Sequence, residues 1–259
     1  MFEGPFSTNA TTSIVPFSLL APLCLGGEIK VNSHQKTENK LFTQLVSDAG
    51  SCKLCPAMCG RTAVFSALNG SLAARVMFIG EAPGRKGADR THVPFSGDQS
   101  GKNFDRFIAS IGLGREEIFI TSAALCNPRT DSGANRKPAK SEVANCSQFL
   151  RRAIEIIDPR VVVTLGSVAL EALKKIKRHE LNLKEASGRV HDWDDRLLVP
   201  IYHPSPQVLA SHRREAAQLQ DYQIVAQAIE QHRSSIALSR HPAVRLCLES
   251  EAYPLSGTA

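Results

Sequence analysis

Residues 74–84 read Ala74-Arg75-Val76-Met77-Phe78-Ile79-Gly80-Glu81-Ala82-Pro83-Gly84, and this stretch decides the fold. Its apolar run is typical of a strand buried on both faces, and Gly80 ends it. Glu81 follows at once, so the sequence predicts a carboxylate at the end of an interior strand. The stretch therefore indicates both the class of fold and the place to look for a functional site.

Three more apolar segments follow along the chain, separated by segments with helical periodicity. The predicted strands span 74–79, 118–121, 161–165 and 197–202, and the predicted helices span 38–49, 102–111, 141–157, 168–176 and 213–231. Strands that alternate in this way with amphipathic helices predict an α/β fold. We expect a three-layer α/β/α sandwich with a central four-stranded parallel sheet.

Candidate functional segments follow the first, second and fourth predicted strands, at 80–84, 122–126 and 203–205. Ligands in open α/β sheets bind at the carboxyl ends of the strands. The sequence therefore predicts that these segments meet at one edge of the sheet and form a binding site there.

Composition is consistent with one globular core. The chain has 259 residues, of which 42% are hydrophobic and 22% charged, and this suffices for a single domain. Its formal net charge of +6 fits a polyanionic partner such as nucleic acid. We predict a domain over 38–233, a flexible N-terminal extension over 1–37 and a C-terminal tail over 234–259.

Cysteine usage and hydropathy indicate the compartment. The seven cysteines are odd in number and lack the spacing of a secreted disulfide scaffold. The apolar stretch at 13–27 lacks a positively charged flank, which a secretion signal requires. No apolar stretch has the length of a membrane span. We therefore expect a soluble, cytoplasmic protein that does not bind membranes.

Four cysteines suggest a metal site. Cys52 and Cys55 form a C-x2-C pair in a loop, whereas Cys126 and Cys146 lie much farther along the chain. The two distant cysteines are also compatible with a role as ordinary core residues. The pair is typical of structural zinc, but the second C-x2-C of a zinc ribbon is absent. Four thiolates spaced in this way also suit an iron–sulfur cluster, so both metals stay open.

A set of motifs in fixed order resembles the family 4 uracil-DNA glycosylases, over roughly residues 41–229. The motifs are Cys52–Cys55, Gly60–Thr62, Gly80–Gly84, Pro94–Gly97, Ile120–Ser122 with Cys126, Asn135-Arg136 with Pro138, Cys146, Leu165-Gly166 and His203-Pro204. Other features are similar to the family 5 enzymes, namely Gly87–Thr91, Gly97–Gly101 and Ser122. Family 5 usually lacks the glutamate found here at Glu81, so the chain resembles a member between the two groups.

The resemblance implies a 4Fe–4S cluster held by Cys52, Cys55, Cys126 and Cys146. Cys59 then remains spare. Because the interval between Cys126 and Cys146 is longer than in the family, Cys59 is a second candidate for one ligand position.

The resemblance also implies catalytic roles at the strand ends. Glu81 is expected to polarise a water or offset positive charge on the sugar, although a glutamate after glycine is more commonly a solvated or capping residue. Asp89 is a rival for that role through the family 5 likeness. His203 is expected to donate a hydrogen bond to a uracil carbonyl as negative charge develops there.

Substrate-binding residues follow from the same resemblance. Phe95 is expected to stack on the flipped base, with Gly80 and Ala82 beside it. Ser122 stands where family 4 uses asparagine to bind the uracil edge, so Asn135 is a candidate to supply the missing amide. We therefore expect weaker rejection of other deaminated bases.

Residues 204–214 are expected to enter the minor groove, where Val208 or Leu209 fills the gap left by the flipped base. Arg136, Lys137 and Lys140 are further candidates for phosphate contacts. The expected DNA contacts of the groove segment are Ser205, Val208, Leu209, Arg213 and Arg214.

These expectations describe an enzyme of base excision repair. It would act as a monomer on uracil-containing DNA, single- or double-stranded, and hydrolyse the N-glycosidic bond to leave an abasic site, without a lyase step. The alternatives are a non-catalytic lesion binder, a glycosylase for a broader set of deaminated bases, and an iron–sulfur redox protein.

Overall fold

The computed structural model describes residues 33–239. Most of the predicted N-terminal extension, residues 1–32, and most of the predicted tail, residues 240–259, lie outside the described residues. The predicted domain limits therefore stay predictions. Within the described part, no helix combines the length and the apolar character needed to cross a bilayer.

The core is a five-stranded sheet with the order β2-β1-β3-β5-β4. Its strands are β1 (Val76–Gly80), β2 (Ile118–Ser122), β3 (Val161–Leu165), β4 (His191–Trp193) and β5 (Arg196–Ile201). Strands β1, β2, β3 and β5 are parallel to one another and correspond to the four predicted strands. The predicted α/β class and its parallel sheet are thereby confirmed.

The predicted number of strands was wrong by one, because β4 adds an antiparallel edge beside β5. β4 has only three residues and carries no apolar run. It forms through a hairpin whose two turn residues, Asp194 and Asp195, adopt left-handed φ angles of 50° and 59°. Such a turn matches the twist of the paired strands, and a pattern search for apolar strands cannot detect it.

Helices cover both faces of the sheet. They are α1 (Ser33–Ser51), α2 (Ala88–Thr91), α3 (Gln99–Ala109), α4 (Lys140–Ile157), α5 (Ser167–Leu173), α6 (Leu183–Ala186), α7 (Pro206–Ser211) and α8 (Glu215–Ser239). The five predicted helices correspond to α1, α3, α4, α5 and α8, and both α1 and α8 are longer than predicted. The short helices α2, α6 and α7 were not predicted, because one or two turns carry too little periodicity.

Side chains of β1 alternate between the two layers, which explains why the whole strand is apolar. Met77 and Ile79 pack with α1, α4 and α5 in one buried cluster. Val76 and Phe78 pack with α3 and α8 in the other. Because each face of the sheet has its own helix layer, a strand in the middle must be apolar on both sides.

Gly70 lies very close to β2, so a substitution at this position probes the packing against the sheet. It has a φ of 129° and bridges to Phe119, and a Cβ placed on it would lie 2.0 Å from the carbonyl oxygen of Ile118. Gly112 also has a positive φ, of 72°, but a Cβ there would meet nothing within 4 Å.

We predict that Gly70→Ala lowers the free energy of unfolding by about 2 kcal/mol more than Gly112→Ala. Both substitutions impose left-handed strain of roughly 1–2 kcal/mol, but only the first also forces backbone apart, at a further cost of about 1–3 kcal/mol. Urea unfolding of the two variants measures the difference, and equal losses would contradict the close approach.

Candidate active site

The carboxyl ends of β1, β2 and β5 meet at one edge of the sheet and enclose a cavity of about 400 Å³. Most of the predicted catalytic and substrate-binding residues line it, namely Glu81, Ala82, Phe95, Ser122, Asn135 and His203. A larger cavity of about 670 Å³ lies beside the β4–β5 hairpin. Its Arg196 is already paired with Asp158 and Asp194, so the smaller cavity is the candidate site.

Glu81 is half-buried at the end of β1. Its backbone is fixed because its carbonyl oxygen accepts a hydrogen bond of 3.0 Å from the amide of Ala124. Burial raises the pKa of the Glu81 carboxyl, and the positive charge of Lys137 opposes that rise. A carboxylate with little hydration is a good acceptor for a proton from water and responds strongly to nearby positive charge.

His203 lies at the end of β5, where burial lowers the pKa of its imidazole to about 4 and the charge of Asp98 opposes that change. The ring is therefore neutral at physiological pH. Two buried side-chain amides, from separate helices, hold the backbone of His203 and of the next residue. Asn103 donates to the carbonyl oxygen of Pro204 at 2.8 Å, and Gln218 donates to that of His203 at 3.2 Å.

Phe95 forms an aromatic wall of the cavity. Its ring stacks on Phe104 with centroids 4.8 Å apart and lies 5.4 Å from the His203 ring. A Cβ on Gly80 would lie 3.0 Å from the Phe95 ring, so glycine at the end of β1 makes room for it. Phe95 has a φ of 49°, and such strain, of order 1–3 kcal/mol, commonly marks functional sites.

Asp98 is a cavity residue that the sequence did not single out. One of its carboxylate oxygens accepts a hydrogen bond of 3.0 Å from the amide of Gly101 and so caps α3. The carboxylate also lines the cavity, and its charge acts on His203. The only signal in the sequence is its place in the Gly97–Gly101 motif, which by itself indicates a helix cap.

Asp89, the predicted rival of Glu81, is not among the residues that line the cavity. Its side chain is 11% exposed and forms an ion pair with Arg129. Arg129 in turn donates to the side-chain oxygen of Asn127 at 2.5 Å. Asp89 thus belongs to a hydrogen-bonded network that reaches the cavity through Asn127.

The same network holds Asn135. Its amide oxygen accepts hydrogen bonds of 3.0 Å from the backbone of Arg85 and from the side chain of Asn127. Asn127 is 1% exposed and also donates to the carbonyl oxygen of Pro83 at 2.5 Å. Since the oxygen of Asn135 is engaged, only its amino group is left to face a ligand.

Helix α7 occupies the segment predicted to enter the DNA groove. The Ser205 side chain caps it by accepting from the amide of Val208 at 3.4 Å. Val208 lines the cavity, whereas Leu209 packs against the core. Val208 is therefore the better placed of the two candidates for the wedge.

Two of the three arginines predicted to bind phosphate are paired with carboxylates of this chain. Arg213 makes two hydrogen bonds to the buried Asp221, at 2.6 and 2.9 Å, so its guanidinium holds α8 in place. Arg136 is likewise paired through two nitrogens with Glu142. Arg214 is exposed and stays available for a phosphate contact.

A third cavity, of about 260 Å³, is lined by Cys52, Cys55, Cys59, Cys126 and Cys146. None of these cysteines forms a disulfide. Burial raises the pKa of Cys126 to about 11 and that of Cys146 to about 12, with a smaller contribution from the neighbouring thiols. Within residues 33–239, no three histidine, cysteine or acidic side chains lie close enough to hold a single metal ion.

The fold and the site define an α/β protein with an aromatic-walled cavity at the carboxyl edge of a parallel sheet. A family model described as the uracil DNA glycosylase superfamily matches residues 69–226. The chain belongs to this superfamily.

Curated relatives include both type-4 and type-5 uracil-DNA glycosylases. The type-4 uracil-DNA glycosylase of Thermotoga maritima is 32% identical over 170 residues, which cover 65% of this chain and 84% of that protein. The type-4 uracil-DNA glycosylase of Archaeoglobus fulgidus is 32% identical over 176 residues, 66% of this chain and 85% of that protein. The type-5 uracil-DNA glycosylase of Pyrobaculum aerophilum is 34% identical over 157 residues, 53% of this chain and 64% of that protein.

The depressed pKa of His203 makes stability depend on pH. Between the pKa of about 4 in the folded protein and the ordinary value of 6.5, the unfolded chain binds a proton that the folded chain does not. The free energy of unfolding therefore rises with pH across this window. The contribution of this group reaches at most about 3 kcal/mol above pH 6.5.

We predict that His203→Gln removes this dependence. The difference in unfolding free energy between wild type and variant should shrink as the pH falls from 7 towards 4.5, and urea titrations at each pH measure it. The raised pKa of Glu81 gives the opposite slope in both proteins and cancels in the difference. A difference that stays constant with pH would show that His203 is not held neutral by burial.

Proposed function

We propose that the chain is a uracil-DNA glycosylase that binds uracil flipped out of DNA and hydrolyses its N-glycosidic bond. The observation that carries this proposal is the convergence of Glu81, Phe95, Ser122 and His203 around one cavity. The reaction needs a surface on which the base stacks, a polar partner for the base edge, a hydrogen bond to the leaving base and a carboxylate for the water. The Phe95 ring, the Ser122 hydroxyl, the neutral His203 imidazole and the Glu81 carboxylate meet these needs in that order. Names of the relatives in the superfamily point to the same substrate.

His203 stabilises the leaving base. As the bond between the sugar carbon and the base nitrogen breaks, its electron pair moves onto uracil and negative charge grows on a carbonyl oxygen. The neutral imidazole, with a pKa of about 4, donates a hydrogen bond to that oxygen. A group held in place before the reaction stabilises such charge without reorganisation.

Glu81 is the carboxylate that we assign to the water. It lines the cavity and has a raised pKa, so it accepts a proton as the water oxygen bonds to the sugar carbon. Asp98 is the second carboxylate of the cavity, and its charge offsets the positive charge that grows on the sugar. Asp89 is engaged with Arg129 and is assigned to structure.

Ser122 supplies the polar contact to the base edge. Its hydroxyl both donates and accepts, whereas Asn135 has only its amino group left. One hydroxyl discriminates less strictly than an amide pair, so this arrangement favours the broader activity on deaminated bases as a second candidate function. That activity, the absence of a lyase step and the monomeric state stay predictions.

We predict that Glu81→Gln lowers the single-turnover rate of uracil excision by roughly 10²–10⁴-fold, the usual contribution of a general base. Asp98→Asn should also slow excision while the fold survives, because asparagine caps a helix as well as aspartate. A gel assay on uracil-containing oligonucleotides, with alkali to cut the abasic product, measures both rates.

Asp89→Asn is the matched control, because it also neutralises one buried aspartate near the site. It should lower thermal stability but keep excision within tenfold of wild type, or about 1.4 kcal/mol in activation free energy. Full activity of Glu81→Gln would overturn the assignment of the water. Stable binding of uracil-DNA by the wild type without base release would instead support the non-catalytic binder.

We also propose that Cys52, Cys55, Cys126 and Cys146 hold a 4Fe–4S cluster. All four line one cavity, and the charges of Cys52 and Cys55 act on both Cys126 and Cys146. Thiolates that each bind a different iron stand farther apart than the ligands of one zinc ion. Four thiols from separate segments of the chain around one cavity suit a cluster held by four thiolates.

The residues present fit such a group. Buried thiols with raised pKa values lose their protons readily only to a metal, whose positive charge stabilises the thiolates. The cluster would supply a structural cross-link between the loop after α1, the end of β2 and helix α4. Asn145 already donates to the sulfur of Cys55 at 3.4 Å and to the carbonyl oxygen of Leu54 at 2.9 Å.

We predict that Cys146→Ser abolishes bound iron and sulfide, together with their visible absorbance, whereas Cys59→Ser retains them. Cys59 lines the same cavity but is exposed, and its charge is not among those that act on Cys126 or Cys146. Elemental analysis of the purified proteins also separates iron from zinc. If Cys59→Ser loses iron, and a serine variant of Cys52, Cys55, Cys126 or Cys146 retains it, Cys59 would replace that cysteine in the ligand set.

A further inference from the structure

Arg115 lies in the short turn Arg115–Glu117 that precedes β2, outside the set of cavity residues. All three of its side-chain nitrogens donate hydrogen bonds, and two of them reach residues that line the cavity. One terminal nitrogen donates to the carbonyl oxygen of Pro94 at 2.8 Å, the other donates to that of Phe95 at 2.5 Å, and Nε donates to Asp105 at 2.7 Å. The guanidinium also lies 5.7 Å from the centre of the Phe104 ring.

The segment that Arg115 holds is the strained one. Phe95 has a φ of 49°, in the left-handed region that side chains rarely adopt. Its carbonyl oxygen is pressed against α3, where a Cβ on Gly101 would lie within 2.3 Å of it. A backbone conformation of this kind persists only when its surroundings over-determine it, and two hydrogen bonds to successive carbonyl groups do so.

We propose that Arg115 is a positioning residue that sets the orientation in which the Phe95 ring meets the flipped base. The inference rests on the proposed function, in which Phe95 stacks on uracil. Arg115 acts through the Pro94 and Phe95 carbonyl groups and does not touch the base. Asp105 completes the arrangement, because its carboxylate fixes the guanidinium plane from the side of α3.

The planar guanidinium matters as much as its charge. Two parallel N–H groups reach two carbonyl oxygens at once, and the plane packs on Phe104, whereas a lysine ammonium is a point charge on a flexible stem. Arg115→Lys should therefore keep the charge near Asp105 but lose the fixed geometry of the loop.

Arg106 on α3 provides a matched control. It forms an ion pair with Glu215 at 2.6 Å and lies 5.3 Å from the centre of the Phe107 ring. It thus repeats the chemistry of Arg115, an ion pair and an aromatic contact, without a hydrogen bond to the Pro94–Phe95 segment. Arg106→Met measures the general cost of losing an arginine from this helix layer.

The test combines excision with two binding measurements. We predict that Arg115→Met lowers kcat/KM for uracil excision and weakens inhibition by free uracil, each by about a hundredfold, the scale expected for an ångström of misplacement. Binding of DNA that carries a stable abasic analogue should not change, because that ligand has no base to stack. Arg115→Lys should show an intermediate loss, and Arg106→Met should match wild type in all three measurements.

Equal behaviour of Arg115→Met and Arg106→Met would overturn the inference, as would a loss of abasic-DNA binding equal to the loss of uracil binding. If Arg115→Met does not fold, Arg115→Lys decides by the same comparison. If the wild type releases no uracil, the proposed function fails by itself. The φ angle of Phe95 in a crystal structure of Arg115→Lys then still decides whether Arg115 sets it.

Discussion

The site depends on the pairing of β1 with β2, which continues past the ends of both strands. In the sheet, Gly80 lies opposite Ser122. Beyond it, the amides of Ala123 and Ala124 donate to the carbonyl oxygens of Gly80 and Glu81 at 2.9 and 3.0 Å. Glu81 and Ser122, the proposed catalytic carboxylate and base-edge hydroxyl, therefore share one hydrogen-bonded ladder. Both strands are anchored by side chains buried in the two core clusters. The rigid sheet therefore fixes the positions of the side chains at the site.

Buried polar side chains then fix the loops that the sheet alone leaves undetermined. Asn127 holds the loop after β1, whereas Asn103 and Gln218 hold the loop after β5. Each of these side chains is at most 6% exposed. Removing one would leave a backbone carbonyl without its partner, at a cost of about 1–3 kcal/mol. Such residues are costly to bury, and their placement around the cavity shows that the loop geometry is what they stabilise.

Much of the fold and part of the site follow from the sequence. The strands were predictable because each is a short apolar run whose burial on both faces leaves a local signal. The gathering of Glu81, Ser122 and His203 followed from the rule that parallel strands end at one edge. The β4 hairpin, the roles of Arg115 and Asp98, and the pairing of Arg213 with Asp221 were not predictable. They depend on contacts between segments distant in sequence, or on turns too short to show a period.

The two segments that resemble the family 5 pattern, 87–91 and 97–101, pack directly against each other. A Cβ on Gly87 would lie 2.3 Å from a carboxylate oxygen of Asp98, and one on Gly97 would lie 2.7 Å from the Thr91 side chain. A side chain at either glycine would therefore force the segments 87–91 and 97–101 apart. Glu81 lies in the β1–β2 ladder, and Gly84 joins that ladder to the two segments, because its carbonyl oxygen accepts hydrogen bonds of 3.0 and 3.1 Å from the amides of Gly87 and Asp89. These contacts bring two carboxylates to one cavity, Glu81 after β1 and Asp98 at the N-cap of α3.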